Sequence, residues 1–278
     1  MSEIEVTEPQ SAIIYSNQQF NLFLAGVGSG KTHDMGIVSA NYVTNFPEAR
    51  GLICANTYGQ LSASTLVGVF KVWKEFFNLV EDTHFVVDKQ PPKHFEFFGA
   101  KLKSYKNTIS FVNGALLWLA SLDNYKVIDG IEVSYALLDE TKDTKEVAVT
   151  EVILARLRQN KMFLDINNVL HSKKPTDVEY TGFNPFYAFT SPAKVQWLNE
   201  MFEINENIEE IGKHIFSKTD FYHKNHNGKK VVISSTYHNE HNLPDNYIES
   251  RKKIWDNTDG LTDMLIFGSP IAKTGGEW

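Results

Sequence analysis

The residues best suited to chemistry gather first between Phe23 and Gly36, in FLAGVGSGKTHDMG. Gly26, Gly28 and Gly30, followed by Lys31 and Thr32, have the types and order of a phosphate cradle. Such a loop points backbone N–H groups of a helix N-terminus at phosphate oxygens, while a lysine reaches the β and γ phosphates and a hydroxyl ligates magnesium. Lys31 is then the phosphate lysine and Thr32 the magnesium ligand, with Ala25, Gly26, Gly28, Ser29 and Gly30 forming the backbone around ATP. Ala25 departs from the strict G-x-x-x-x-G-K-S/T form by one small side chain. The alternative is a glycine-rich turn holding an incidental G-K-T. Context separates the two, because a cradle needs a strand before it and a helix after it.

Both are legible. NLFLAG reads as a short buried strand, and KTHDMGIVSANYVTNF has small and apolar residues at helical spacing. A cradle also needs an acid at the end of a buried strand, where magnesium and bound water compensate an otherwise costly carboxylate. YALLDE supplies two acids. Asp139 would hold the Thr32-bound magnesium through water, and Glu140 would orient or deprotonate the attacking water. As an alternative, Asp139-Glu140 followed by Thr141 would serve as a helix cap.

The elements that must position these groups alternate along the chain. GLICAN predicts a second strand, and SASTLVGVFKVWKEFFN predicts an amphipathic helix with Leu66, Val69, Phe70, Trp73, Phe76 and Phe77 on its apolar stripe. TISFVNGALLWLASL reads as a hairpin turning at Asn113-Gly114. VSYALLDE is another buried strand, KEVAVTEVILARLRQN resumes a helical period, and FYAFTSP reads as a last core strand stopped by Pro192. From about residue 195 the pattern turns helical and polar. The expected fold is α/β: a P-loop NTPase core with a mostly parallel central sheet flanked by helices, plus a small lid subdomain. The expected division is a core over 1–194, a lid over 195–260 and a tail over 261–278. Between Lys31 and Asp139 there is room for a further strand-helix unit and a hairpin, which favours a mechanical ATPase over a small nucleotide kinase.

Composition sets outer limits. With 278 residues, 42% hydrophobic and 22% charged, the chain has the balance of a globular protein. No apolar run approaches the roughly 20 residues that span a bilayer, and the acidic start MSEIEVTEPQ has no secretory pattern, so a cytosolic setting without membrane is expected. Cys54 is the only cysteine, which excludes an internal disulfide and a cysteine zinc cluster, and its apolar run reads as a buried structural thiol. A net charge of −7 gives no general attraction to nucleic acid. Any such contact must be local. Lys89, Lys93, Lys101, Lys103 and Lys106 interleave with Phe95, Phe97, Phe98 and Tyr105, a mix that could grip a phosphate backbone or, the preferred reading, form a solvated hairpin with a buried aromatic face.

The phrases AGVGSGKT, NGALLWLASLDNYKVIDGIEVSYALLDET, ILARLRQ, AFTSPAKVQWLNEMF and SSTYHNEHNLPDNYIES, in this order, resemble the N-terminal ATPase of phage terminase large subunits over nearly the full chain. The resemblance implies an ATP- and Mg2+-dependent motor that drives double-stranded viral DNA into a procapsid. Its implied partners are the portal protein, the procapsid and the small terminase subunit, with a homo-oligomeric ring on the portal in the host cytoplasm. It makes Gln10 the adenine-reading glutamine, with Gln18 and Gln19 as rivals, and Thr190 and Ser191 of FTSP the coupling residues that sense the γ phosphate. FTSP could also be a plain strand-end turn. Many family members carry arginine where this chain has Val27 and Asp129. Arg156 and Arg158 in LARLRQ are therefore candidates for the transition-state arginine, acting from a neighbouring subunit, with surface ion pairs as the equal alternative. The family's nuclease is a separate domain, and a similar GEW phrase lies near the passage to it, so no DNA cleavage is expected of this chain. Other readings are a viral helicase-like ATPase and a nucleotide-dependent assembly module with little turnover.

Overall fold

A computed structural model describes residues 4–98, 101–192 and 196–270. The GEW phrase and the expected boundary at residue 194 lie outside the described residues. Twelve strands occur among the described residues: β1 Phe20–Ala25, β2 Arg50–Ala55, β3 Phe85–Val87, β4 Thr108–Phe111, β5 Leu116–Ser121, β6 Tyr135–Asp139, β7 Phe163–Asp165, β8 Leu170–His171, β9 Tyr180–Gly182, β10 Phe186–Thr190, β11 Tyr222–His226 and β12 Lys229–Ser234. Two helices matter most for the site, α1 Glu8–Ile14 and α2 Lys31–Asn45. The architecture is mixed α/β, with a mostly parallel central sheet flanked by helices. The chain divides into two compact units.

The first unit comprises mainly Met35–Asp139 and Thr144–Phe186. Its strands run in the order β6-β2-β5-β4-β3. β2 pairs parallel with both β5 and β6, so it is central, and the continuous apolar run of GLICAN follows from burial on both faces. β4 and β5 form the antiparallel hairpin expected at Asn113-Gly114, where Gly114 takes φ +87°. The helix Leu66–Phe77 buries Leu66, Val69, Val72 and Trp73. Trp73 packs edge-on against Phe85 and Phe111, and its indole N–H is satisfied by Ser39 Oγ at 2.9 Å and the Gly36 carbonyl at 3.2 Å. Cys54 is fully buried, and burial pushes its thiol well above the ordinary range, which leaves it an inert core residue. A separate three-stranded sheet runs β8-β7-β9.

The second unit comprises Glu5–Asp34, Glu140–Asp143 and the chain from Tyr187. Its strand order is β11-β12-β1-β10. β1 and β12 pair parallel from Phe20 with Lys229 to Ala25 with Ser234, and β11 lies antiparallel outside β12. This corrects two expectations. FYAFTSP is not the last core strand, and the stretch after 195 is not helical throughout, because KKVVIS returns to pair with the strand that feeds the glycine loop. Residues 261–270, expected to begin a tail, instead form the helix Leu261–Leu265 and a turn in which Ile266 is fully buried.

β3 and β4 pair antiparallel, and between them the described residues contain no strand, so the lysine-aromatic segment is the long irregular loop of that hairpin. Phe95 is buried there, whereas Phe97 and Phe98 are exposed along with Lys93, Lys101, Lys103 and Lys106.

Candidate functional site

The second unit builds a cradle from its own residues. β1 ends at the fully buried Ala25, and the chain turns through five residues into α2 at Lys31. Gly28 and Gly30 take φ +79° and +91°, which only glycine adopts without strain. A Cβ on Gly26 would collide with Thr236 Oγ1 and the Ile266 carbonyl. Ser29 Oγ donates to the Gly26 carbonyl at 2.8 Å, and the Asp34 N–H donates to the Gly30 carbonyl at 3.0 Å, closing the first helical turn. Lys31 is almost buried, with Nζ donating to the carbonyls of Ala25 at 3.1 Å and Gly26 at 2.9 Å. Its ammonium is therefore placed by backbone geometry. Thr32 follows, half-buried, in the same turn.

Gln10 is not a solvated surface residue. It is 4% exposed, lies against Gly30, and completes a capping box: Thr7 N–H donates to Gln10 Oε1 at 2.9 Å. Its Nε2 donates to Asp34 Oδ1 at 2.8 Å. Asp34 is fully buried, and desolvation pushes its carboxyl up to about 7, against the opposing pull of His33, Gln10 and Lys31. His33 Nδ1 stands 3.6 Å from the same oxygen. The rivals Gln18 and Gln19 are half-buried just before β1, where the Gln18 N–H donates to Ser16 Oγ at 3.2 Å.

The second acid and the coupling segment meet in the same unit. Glu140 takes φ +50°, an αL conformation that costs a non-glycine residue about 1 kcal/mol or more and marks a position fixed by its surroundings. Its N–H donates to the Phe189 carbonyl at 2.7 Å. Ser191 Oγ donates to Glu140 Oε1 at 3.5 Å, Lys142 Nζ lies 3.6 Å from Oε2, and Lys142 N–H donates to Thr190 Oγ1 at 3.0 Å. Thr190 and Ser191 are buried. The two residues expected to couple thus touch the residue expected to position water, directly or through Lys142.

Asp139 lies in the first unit at the end of β6, 4% exposed, and accepts from Thr65 Oγ1 at 2.5 Å. A buried carboxylate is a hard oxygen donor of the kind magnesium takes, and that ion keeps several waters and needs few protein ligands. Arg156 and Arg158 are also in the first unit. Arg156 meets Asp129 at 3.3 Å and Arg158 meets Glu132 at 3.0 Å. Both arginines thus stand in ion pairs, one of them with an aspartate named above.

Sequence reasoning gave no role to His33, Asp34, Lys142, Thr236 or Asn239. Thr236 Oγ1 donates to the Val27 carbonyl at 2.8 Å, and Asn239 Nδ2 donates to the Gly28 carbonyl at 2.7 Å. Val27 N–H donates to the Leu265 carbonyl at 2.7 Å, and Gly26 N–H to the Ser234 carbonyl at 3.1 Å. The loop is braced by backbone and side chains from the far end of the chain. The phrase SSTYHNEHN was the available signal, since hydroxyl and amide side chains follow an apolar run there.

No protein-family profile matches the chain, and no curated protein matches its sequence. Solved structures do match its fold. The large terminase ATPase domain of Thermus phage P74-26 aligns with TM-score 0.59 and 14% identity over 96% of this chain and 94% of that chain. The large terminase of another thermophilic bacteriophage, solved in complex with ADP, gives TM-score 0.59 and 14% identity over 96% of this chain and 54% of that chain. The same large terminase in complex with ATP-γ-S gives TM-score 0.58 and 14% identity over 96% of this chain and 53% of that chain. The chain thus spans about half the length of that second phage protein. With a glycine cradle at the end of a parallel strand and this likeness, the chain has the fold of large terminase ATPase domains.

Proposed function

We propose that this chain is the ATP-hydrolysing motor of a terminase large subunit, powering movement of double-stranded DNA into a procapsid. The observation that carries the reading is the cradle: Lys31, held by the Ala25 and Gly26 carbonyls at the end of β1, on a fold shared with proteins solved with ADP and ATP-γ-S. Backbone N–H groups from Gly28 to Gly30 and the Lys31 ammonium bind the phosphates, while those of Gly26 and Val27 hold the loop to the Ser234 and Leu265 carbonyls. Gln10 reads the base. Thr32 would ligate magnesium, which supplies neutralisation of phosphate charge. Glu140 orients the attacking water and takes its proton. Thr190 and Ser191, in contact with Lys142 and Glu140, relay the state of the site toward moving parts. The expected lid is confined in this reading to the helical residues between 196 and 214.

Partners follow the same reading: viral DNA, the portal and procapsid, the small terminase subunit and further copies of this chain in a ring, in the host cytoplasm. No described helix is long and apolar enough to cross a membrane. Arg156 and Arg158 act in trans by exchanging Asp129 and Glu132 for a phosphate bound to a neighbouring copy. Steady-state ATP hydrolysis with magnesium, with and without DNA and procapsids, tests the proposal. Hydrolysis that rises when both are added supports it. Nucleotide binding without turnover under every condition would favour an assembly module, and no nucleotide binding would refute both.

A further inference from the structure

We propose that Asp34 sets the base preference of this site by locking the Gln10 amide in the one orientation that reads adenine. The inference rests on the nucleotide-binding reading above and adds to it a specificity-determining residue.

A primary amide accepts on one side and donates on the other, and a half-turn exchanges the two. In this chain both sides are pinned. Oε1 accepts from Thr7 N–H at 2.9 Å, and Nε2 donates to Asp34 Oδ1 at 2.8 Å. The flipped amide would set its NH₂ against the Thr7 N–H and, with Asp34 ionised, its oxygen against a carboxylate that can only accept, two repulsive contacts in a buried setting. Gly30 has no side chain, and a Cβ there would collide with Gln10 Nε2, so the locked amide lies directly on the phosphate loop. His33, 30% exposed and 3.6 Å from Asp34, is the solvent-facing member of the cluster.

The fixed amide still has one lone pair and one N–H to offer. Adenine presents a donor at N6 and an acceptor at N7, which pair with a glutamine amide at both points. Guanine presents acceptors at O6 and N7. Its O6 would face Oε1, and the locked amide cannot turn to relieve the clash. A fully buried aspartate whose Oδ2 has no hydrogen-bond partner is a costly way to fill space. Discrimination accounts for that cost, because a site built around oriented polar groups rejects a base that leaves them mismatched.

Equilibrium binding of ATP-γ-S, GTP-γ-S and the triphosphates of 7-deaza-adenosine and of unsubstituted purine riboside tests the idea. The wild-type chain is expected to favour adenine over guanine by at least about tenfold, and to lose roughly fivefold or more on each analogue that deletes N7 or the N6 amine. Asp34→Asn can present either a donor or an acceptor, so with only the Thr7 pin left it should lower the ATP/GTP ratio by about threefold or more while ATP binding itself changes less than the ratio does. Should that variant not fold, Thr7→Pro removes the opposite pin at a residue whose φ of −71° suits proline, and it should relax the ratio in the same way. ATP binding with no base preference in the wild type, or a ratio unchanged in a folded pin variant, would overturn the inference alone. No binding of any of these nucleotides would overturn the reading beneath it as well.

Discussion

Lys31 in the second unit and Arg158 in the first are both cations from family-like phrases, yet they are held in opposite ways. Lys31 is almost buried and donates to two carbonyls of its own loop, whereas Arg158 is 55% exposed and faces an equally exposed Glu132. A cation held on its loop by two carbonyls has little side-chain freedom left to lose on binding, and a phosphate shares or displaces those contacts. An exposed ion pair is worth about 0–1 kcal/mol and exchanges readily. Arg158 therefore has a present partner but no committed one, which is what an arginine acting on a neighbouring copy requires.

The largest effect expected on either side of this comparison is at Lys31. Lys31→Ala should remove productive ATP binding and lower turnover about 10²-fold or more, read by nucleotide titration and steady-state hydrolysis. Next, Gly30→Ala forces a side chain onto φ +91° and into Gln10. It should cost about 1–3 kcal/mol in denaturant unfolding and weaken nucleotide binding. If Gly30→Ala kept both stability and affinity, the loop would not be the rigid element described.

The arginines sharpen the other side. An Arg156→Ala, Arg158→Ala double variant mixed with Lys31→Ala should recover part of the hydrolysis lost by each, since each copy supplies what the other lacks. No recovery in mixtures shown to co-assemble would refute action in trans. Arg158→Ala alone should change stability by less than about 1 kcal/mol.

A smaller effect comes from Asp34. Its raised folded pKa means that the folded state keeps a proton between the ordinary 3.8 and about 7, so this group's contribution to stability declines as pH rises through that window and levels off above it. Thermal melts of the chain without nucleotide should show the decline, and Asp34→Asn should flatten it.

What the sequence revealed follows the same division between local and distant causes. The strand, loop and helix around Lys31 were legible because consecutive residues specify them: an apolar run, glycines at the turn, then helical spacing. The hairpin at Asn113-Gly114 was legible for the same reason. Asp34 was not, since an acid in a first helical turn reads as a favourable partner of the helix dipole, and its burial depends on Gln10, 24 residues earlier. β12 was hidden because only VVI of KKVVIS is strongly apolar, and its parallel partner β1 lies near the other end of the chain. Asn239 and Thr236 share that remoteness. The segment from 89 to 106 kept its exposed lysines, but the antiparallel pairing lies in β3 and β4 on either side of it and not within its own pattern.

The central claim is that the second unit holds ATP and that Glu140 works on water there. Nucleotide affinity and turnover measured side by side for the wild type and Glu140→Gln test it most directly. The amide keeps the size and hydrogen bonds of Glu140 but cannot accept a proton, so affinity should stay within about threefold while turnover falls about 10²- to 10⁴-fold. Hydrolysis by Glu140→Gln at the wild-type rate would contradict the account.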